Sequence, residues 1–175
     1  MTRKLGLKLL SGLLLVLAGC SLGESEYLGG DLWAVNHASA AINNFSVNGY
    51  GGGNANPHGY GGGACCVMLP REWRPGILMK VEWETDPNTV ENGKTFPGFV
   101  NREKFLAWKN NAESNFQRHS AIVPLPPYDQ GLCALEVHFL PCHQVKVTTA
   151  CWGYGSPNNP IKEPLEMKEP PVCPK

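Results

Sequence analysis

Apolar and polar residues alternate most cleanly over GILMKVEWE, where Ile77, Met79, Val81 and Trp83 fall on one face and Lys80, Glu82 and Glu84 on the other. A period of two predicts a strand with one buried and one wet face, and Asp86-Pro87-Asn88 closes it. The alternation recurs through LCALEVHFLPCHQVKVTTACW: Cys133, Leu135, Val137 and Phe139 form one apolar series, and Val145, Val147, Thr149 and Cys151 a second. A hairpin folded about Cys142 sets 139 opposite 145, 137 opposite 147, 135 opposite 149 and 133 opposite 151. A slip of one residue would set apolar against polar along the whole ladder. That register makes Cys133 and Cys151 cross-strand neighbours, close enough for a disulfide. Phe45 and Val47 predict a further strand, ending in the turn signal Asn48-Gly49. Helical spacing appears once, in NREKFLAWKNNAESNF, where Phe105, Trp108, Ala112 and Phe116 share a face and Asn101 can cap the start. The prolines of AIVPLPPYDQG favour an extended edge. These elements predict an α+β, β-rich, disulfide-stabilised single domain: a mostly antiparallel sheet with one main helix (Asn101 to Phe116) packed on it.

The N-terminus changes the setting. Arg3, Lys4 and Lys8 precede an almost wholly apolar run, Leu9 to Leu17, which ends in Leu17-Ala18-Gly19-Cys20. The run is short for a bilayer span and reads as an export signal; its end matches the bacterial lipobox. Residues 1–19 are therefore expected to be removed and Cys20 lipidated (palmitate among its acyl chains). Ser21 at the next position, in place of aspartate, points to the outer membrane, periplasmic face. Residues 20–30 read as a tether, 31–153 as the globular domain and 154–175, with six prolines and no periodicity, as a C-terminal tail. The mature chain would hold 156 residues, with 12 basic against 15 acidic. That length suits one domain with a sizeable core, and that charge gives no reason to expect nucleic acid.

The oxidising compartment decides how the cysteines are read. Setting Cys20 aside leaves Cys65, Cys66, Cys133, Cys142, Cys151 and Cys173, an even number, with disulfides as the default. Adjacent Cys65 and Cys66 would point to opposite faces of a strand. Each is expected to pair with one of Cys142 and Cys173, a strained vicinal bridge being the lesser alternative.

Candidate chemistry is sparse. Eight of the sixteen residues from Asn48 to Gly63 are glycine, yet no Gly-Lys-Ser/Thr follows, so this is not a phosphate loop. With Tyr50, His58 and Tyr60 among the glycines, it reads as an ordered surface loop built on positive-φ turns. His138, Cys142 and His143, with His58 or His119, lack a standard zinc spacing, and neither metal nor cofactor is expected. The motifs HExxH and SxxK are absent. Glu82 and Glu84 read as solvated charge, no catalytic residues are assigned, and the chain is not expected to be an enzyme. Arg71-Glu72-Trp73-Arg74, between Pro70 and Pro75, is a turn rich in the residue types that anchor interfaces; its tryptophan could equally pack beneath the sheet. Tyr50, His58, Tyr60, Arg71, Trp73 and Arg74 are the candidate partner-binding residues.

The succession VNGYGGGNANPHGYGGGACCVMLPREWRPG, the VEW strand, VPLPPY and LEVHFLP resembles a family of small bacterial lipoproteins encoded beside type VI secretion phospholipase effectors. The resemblance spans Leu32 to Trp152 and is most specific in the CCVxLPxxWRPG run. It implies an immunity protein: a lipid-anchored, periplasm-facing binder that neutralises a secreted phospholipase effector. The competing expectation is a structural or assembly-accessory envelope lipoprotein without a toxin partner. Cys20→Ser should abolish incorporation of labelled palmitate and release the exported chain from the membrane fraction; label that persists in the variant contradicts the lipobox reading.

Overall fold

The computed structural model describes residues 25–129, 131–149 and 151–174. The expected signal peptide, Cys20 and the first tether residues lie outside them. Two four-stranded sheets face one another. The first has the order β4-β1-β7-β8, with β1 Tyr27–Asn36, β4 Gly59–Pro70, β7 Ala134–Leu140 and β8 Gln144–Thr148. The second has the order β3-β2-β5-β6, with β2 Ala41–Val47, β3 Tyr50–Gly52, β5 Leu78–Asp86 and β6 Gln117–Pro124. Edges meet at both sides, β3 beside β4 and β6 beside β8, so the sandwich is nearly closed. All pairings are antiparallel except β1 with β7. Two helices, α1 Thr89–Thr95 and α2 Arg102–Glu113, are inserted between β5 and β6. Among the described residues no helix is long and apolar enough to cross a membrane.

The alternating strands fold as their pattern dictates. Met79, Val81 and Trp83 of β5 are buried, while Lys80 and Glu82 are exposed. In the β7–β8 hairpin Phe139 faces Val145 and Val137 faces Val147, the register the apolar series required. The ladder ends at Glu136 opposite Thr148, and beyond it Cys133 and Cys151 are disulfide-bonded with Cα atoms 5.1 Å apart. Asn48 and Gly49 both take positive φ (50° and 85°) in the β2–β3 turn, the geometry that suits a tight hairpin. The core gathers where the sheets face: Phe139 contacts Phe45 and Trp83 with ring centroids 5.4 and 5.6 Å apart. Losing such a buried ring would cost about 3–5 kcal/mol.

Four expectations are corrected. The glycine-rich stretch is not one loop: its first part is β3 and its second part is the start of β4, paired with β1. Its glycines serve close approach. A Cβ on Gly61 would collide with the Asn54 carbonyl oxygen, and one on Gly62 (φ 88°) would lie 2.8 Å from the Leu32 oxygen. Cys65 and Cys66 are joined to each other, across a cis peptide bond, and Cys142 is joined to Cys173. Cys65 and Cys66 ride on edge strand β4, three strands from β8. About 14 Å of sheet separates those edges, too far for a bridge to Cys142 beside β8. The tether is shorter than residues 20–30, because β1 begins at Tyr27, where pairing with Pro70 starts. Lastly the described residues hold two α-helices rather than one, and α2 does not pack on the sheet. Only its Ala112 is buried, and its Phe105 and Trp108 face Phe96, just after α1. Gly93 and the threonines of α1 hid it from periodicity; Asp86 holds it, accepting from the Asn92 side chain at 2.9 and 3.0 Å. Asn101 caps α2, accepting from the Lys104 N–H at 3.0 Å.

Cys133→Ser should lower stability by about 3 kcal/mol, as opening a loop of this size does. Thermal melting without reductant checks this, and an unchanged midpoint would show that the bridge contributes nothing.

Candidate functional site

The candidate binding residues fall into separate places. Arg71 and Arg74 follow directly on β4, which brings them back beside the first described residues. The Arg71 N–H donates to the Glu26 carbonyl at 2.8 Å, and its Nε donates to the Ser25 carbonyl at 2.6 Å. The turn is held from below by Trp73, whose ring packs against the core and whose Nε1–H donates to the Leu125 carbonyl at 2.9 Å. Trp73 is therefore the post under the turn, not a free anchor. Arg74 is well exposed and only loosely paired with Glu72 at 3.7 Å; such a surface pair contributes little. Between the turn and the chain start lies a cleft of about 570 Å³, walled by Ser25, Glu26 and Tyr27 on one side and by Arg71, Arg74 and Ile77 on the other.

Tyr60 and His58 sit at the other end of β4, where Tyr60 pairs with Val35. Eleven residues of strand, about 36 Å, separate Tyr60 from Arg71. Tyr60 is exposed. His58 is half-buried, and its Nδ1–H donates to the His37 carbonyl at 2.9 Å, fixing the link between β1 and β2. Tyr50 is exposed on the short edge strand β3. An ordinary interface covers about 800 Å² per partner, too little to centre on both ends of β4. Arg71 and Arg74 share one face with the cleft; Tyr60 belongs to another.

The histidines once weighed as metal ligands are dispersed. His143 stacks on His119 with ring centroids 3.8 Å apart. Burial and the neighbouring His143 hold the His119 imidazole below its ordinary value of 6.5. Cys142 and Cys173 lie near Glu169, but their sulfurs bond to each other, and the Glu169 carboxylate accepts from the Cys142 N–H at 2.8 Å. His138 belongs instead to a buried chain with His37, a residue that the sequence pattern did not single out. His138 Nε2 meets Glu136 Oε1 at 2.8 Å, its Nδ1 meets His37 Nε2 at 2.9 Å, and His37 Nδ1 donates to the Pro164 carbonyl at 2.8 Å. Both rings are fully buried.

The chain's three contacts run between a carboxylate and a carbonyl. Burial keeps the His37 imidazole below its ordinary value of 6.5, opposed by the Pro164 carbonyl and reinforced by His138. Both imidazoles are out of solvent, the Glu136 carboxylate is partly exposed, and the far terminus of the chain is the C-terminal tail. The Met167 N–H donates to the His37 carbonyl at 3.0 Å, Tyr154 stands edge-on to His37, and Asn159 is buried against Glu136. The arrangement is a latch for the tail. It explains why His138, on the face of β7 expected to be wet, is buried.

Residues 35–147 match the model of a family described as a protein of unknown function (DUF3304), and the chain belongs to that family. No curated protein and no solved structure matches it. The match takes in His37, Arg71, Arg74, Glu136 and His138 but stops before the tail.

His37 and His119 both bind a proton less readily folded than unfolded. Their contribution is complete above pH 6.5 and declines as pH falls below it. Glu163, held below its ordinary 4.5 by the Lys146 ammonium, adds a further loss below 4.5. The melting midpoint should thus fall between pH 7 and pH 5; a midpoint that rises on acidification contradicts the buried-neutral assignment.

Proposed function

We propose that this protein is a periplasm-facing lipoprotein, anchored in the outer membrane through Cys20, that binds and neutralises a type VI secretion phospholipase effector. The observation that carries the reading is the clamp between Arg71 and Ser25, at 2.6 Å. Ser25 follows Cys20 by five residues, which reach at most about 18 Å when extended. A lipid on Cys20 would therefore hold Arg71, Arg74 and the cleft beside them close to the bilayer, where a phospholipase must work.

The chemistry of the turn suits that task. Trp73 and Pro70 fix the backbone, so little ordering entropy opposes association. The Arg74 guanidinium, held only loosely by Glu72, can exchange that partner for a carboxylate or phosphate met in two-pronged fashion, and Tyr27 offers a half-exposed ring across the cleft. Inhibition of this kind is stoichiometric: the turn occludes the effector's active-site entrance or its approach to lipid.

The test is co-expression with the phospholipase encoded next to this gene, exported to the periplasm. The wild-type chain should restore growth. Arg71→Glu together with Arg74→Glu should weaken binding by about tenfold or more and lose protection while melting as the wild type does. Growth that is indifferent to the protein would instead leave it a structural or assembly-accessory envelope lipoprotein.

A further inference from the structure

A second surface lies at the opposite end of the molecule. Strand β5 starts beside the cleft, at Ile77–Leu78, and ends at Asp86, where α1 begins. Nine residues of strand place the helical lobe about 30 Å from the Ser25 end. Its rings form a chain: Phe96 to Phe99 at 5.0 Å, Phe96 to Trp108 at 4.9 Å and Phe99 to Phe105 at 5.3 Å. The chain is not covered. Phe99 is 77% exposed and Val100 fully so, at the tip between the two helices. Gly98 (φ 76°) on one side and the Asn101 cap on the other fix the backbone there, so the apolar tip is a built feature.

The cations of this lobe are Lys94, Arg102, Lys104 and Lys109. Lys94 is paired with Glu91 at 3.6 Å and Lys109 with Glu113 at 3.5 Å. Arg102 and Lys104, next to the apolar tip in sequence, are the cations left without a carboxylate partner among the described residues. Exposed aromatic and aliphatic side chains ringed by lysine and arginine match the lipid–water boundary of an anionic bilayer, where apolar tips enter the headgroup region and cations meet phosphate.

We propose that the Phe99–Val100 tip is a membrane-contact site for bilayers bearing anionic headgroups. The proposal rests on these side chains and is independent of any toxin. Together with a lipid on Cys20 it supplies a second point of attachment. Contacts at both ends would lay the barrel flat on the membrane, with the Arg71–Arg74 cleft at the surface.

The chain from Ser21 onward keeps every strand and helix of the described residues and, without lipid, isolates this contact. Its co-sedimentation with vesicles of phosphatidylcholine alone is compared with that of vesicles containing about one quarter phosphatidylglycerol. Binding should require phosphatidylglycerol, fall as salt is raised, and drop by about tenfold or more in Phe99→Asp/Val100→Asp. Lys94→Glu/Arg102→Glu/Lys104→Glu should remove the phosphatidylglycerol preference. Val100→Asp alone, at a position that touches little, guards against a folding defect in the double variant. The proposal is overturned if the wild-type chain ignores both vesicle types, or if Val100→Asp and the double variant bind as the wild type does. It is likewise overturned if the tip variants only convert a lipid-free dimer to monomer in sedimentation velocity, which would make the tip a contact between copies.

Discussion

Strand β1 is the constraint on which the rest of the structure depends. It is bonded on both sides, antiparallel to β4 and parallel to β7, and it runs from the tether root to the buried histidine chain. At its start, Tyr27 opposite Pro70 sets where the Arg71–Arg74 turn emerges. Just past its end, His37 receives the tail through Pro164 and Met167 and the β3–β4 link through His58. One strand thus fixes both the exposed turn and the segment that closes the molecule. A buried pair of imidazoles costs desolvation, which its hydrogen-bonded contacts offset. Polar groups placed so deep specify one arrangement of the tail, because any other would strand a donor or acceptor.

The same layout separates function from scaffold along β4. Its first half has glycine where β1 and Asn54 approach, and its last residue releases an arginine turn beside the tether. Disulfides finish the frame at three points: the open end of the β7–β8 hairpin, its turn, and edge strand β4. A frame held in this way suits recognition by a preformed surface, the property an inhibitor needs and a structural lipoprotein can do without.

Local pattern revealed strands β2, β5, β7 and β8, and tertiary pairing hid much of the rest. The register of Phe139 with Val145 and Val137 with Val147 was legible because a slip would have buried polar residues, and the Cys133–Cys151 bridge followed from it. Cys142 and Cys173 could not be matched without knowing that β4 and β8 lie at opposite edges. The pairing of β1 with β4 and β7 joins segments far apart in sequence, which no short window carries. Glycines that permit close approach look in sequence like glycines that permit turns, so β4 was read as a loop. His37 carried no signal at all, since a single histidine before a small-residue run acquires meaning only when His138 and the Pro164 carbonyl are brought to it. Of the candidate surface, Arg71 and Arg74 were legible as exposed cations in a proline-bounded turn. Trp73 could not be assigned from sequence between anchor and post, and its bond to Leu125 decides for the post.

The central claim is that recognition occurs at the tether end of β4, on a surface already formed in the free protein. Hydrogen–deuterium exchange of the chain with and without the proposed phospholipase effector tests it most directly. The account predicts slowed exchange at residues 25–27 and 70–77, with the β1, β7 and β8 ladder protected equally in both states. Protection confined to another face, or a ladder that becomes ordered only on binding, would contradict it.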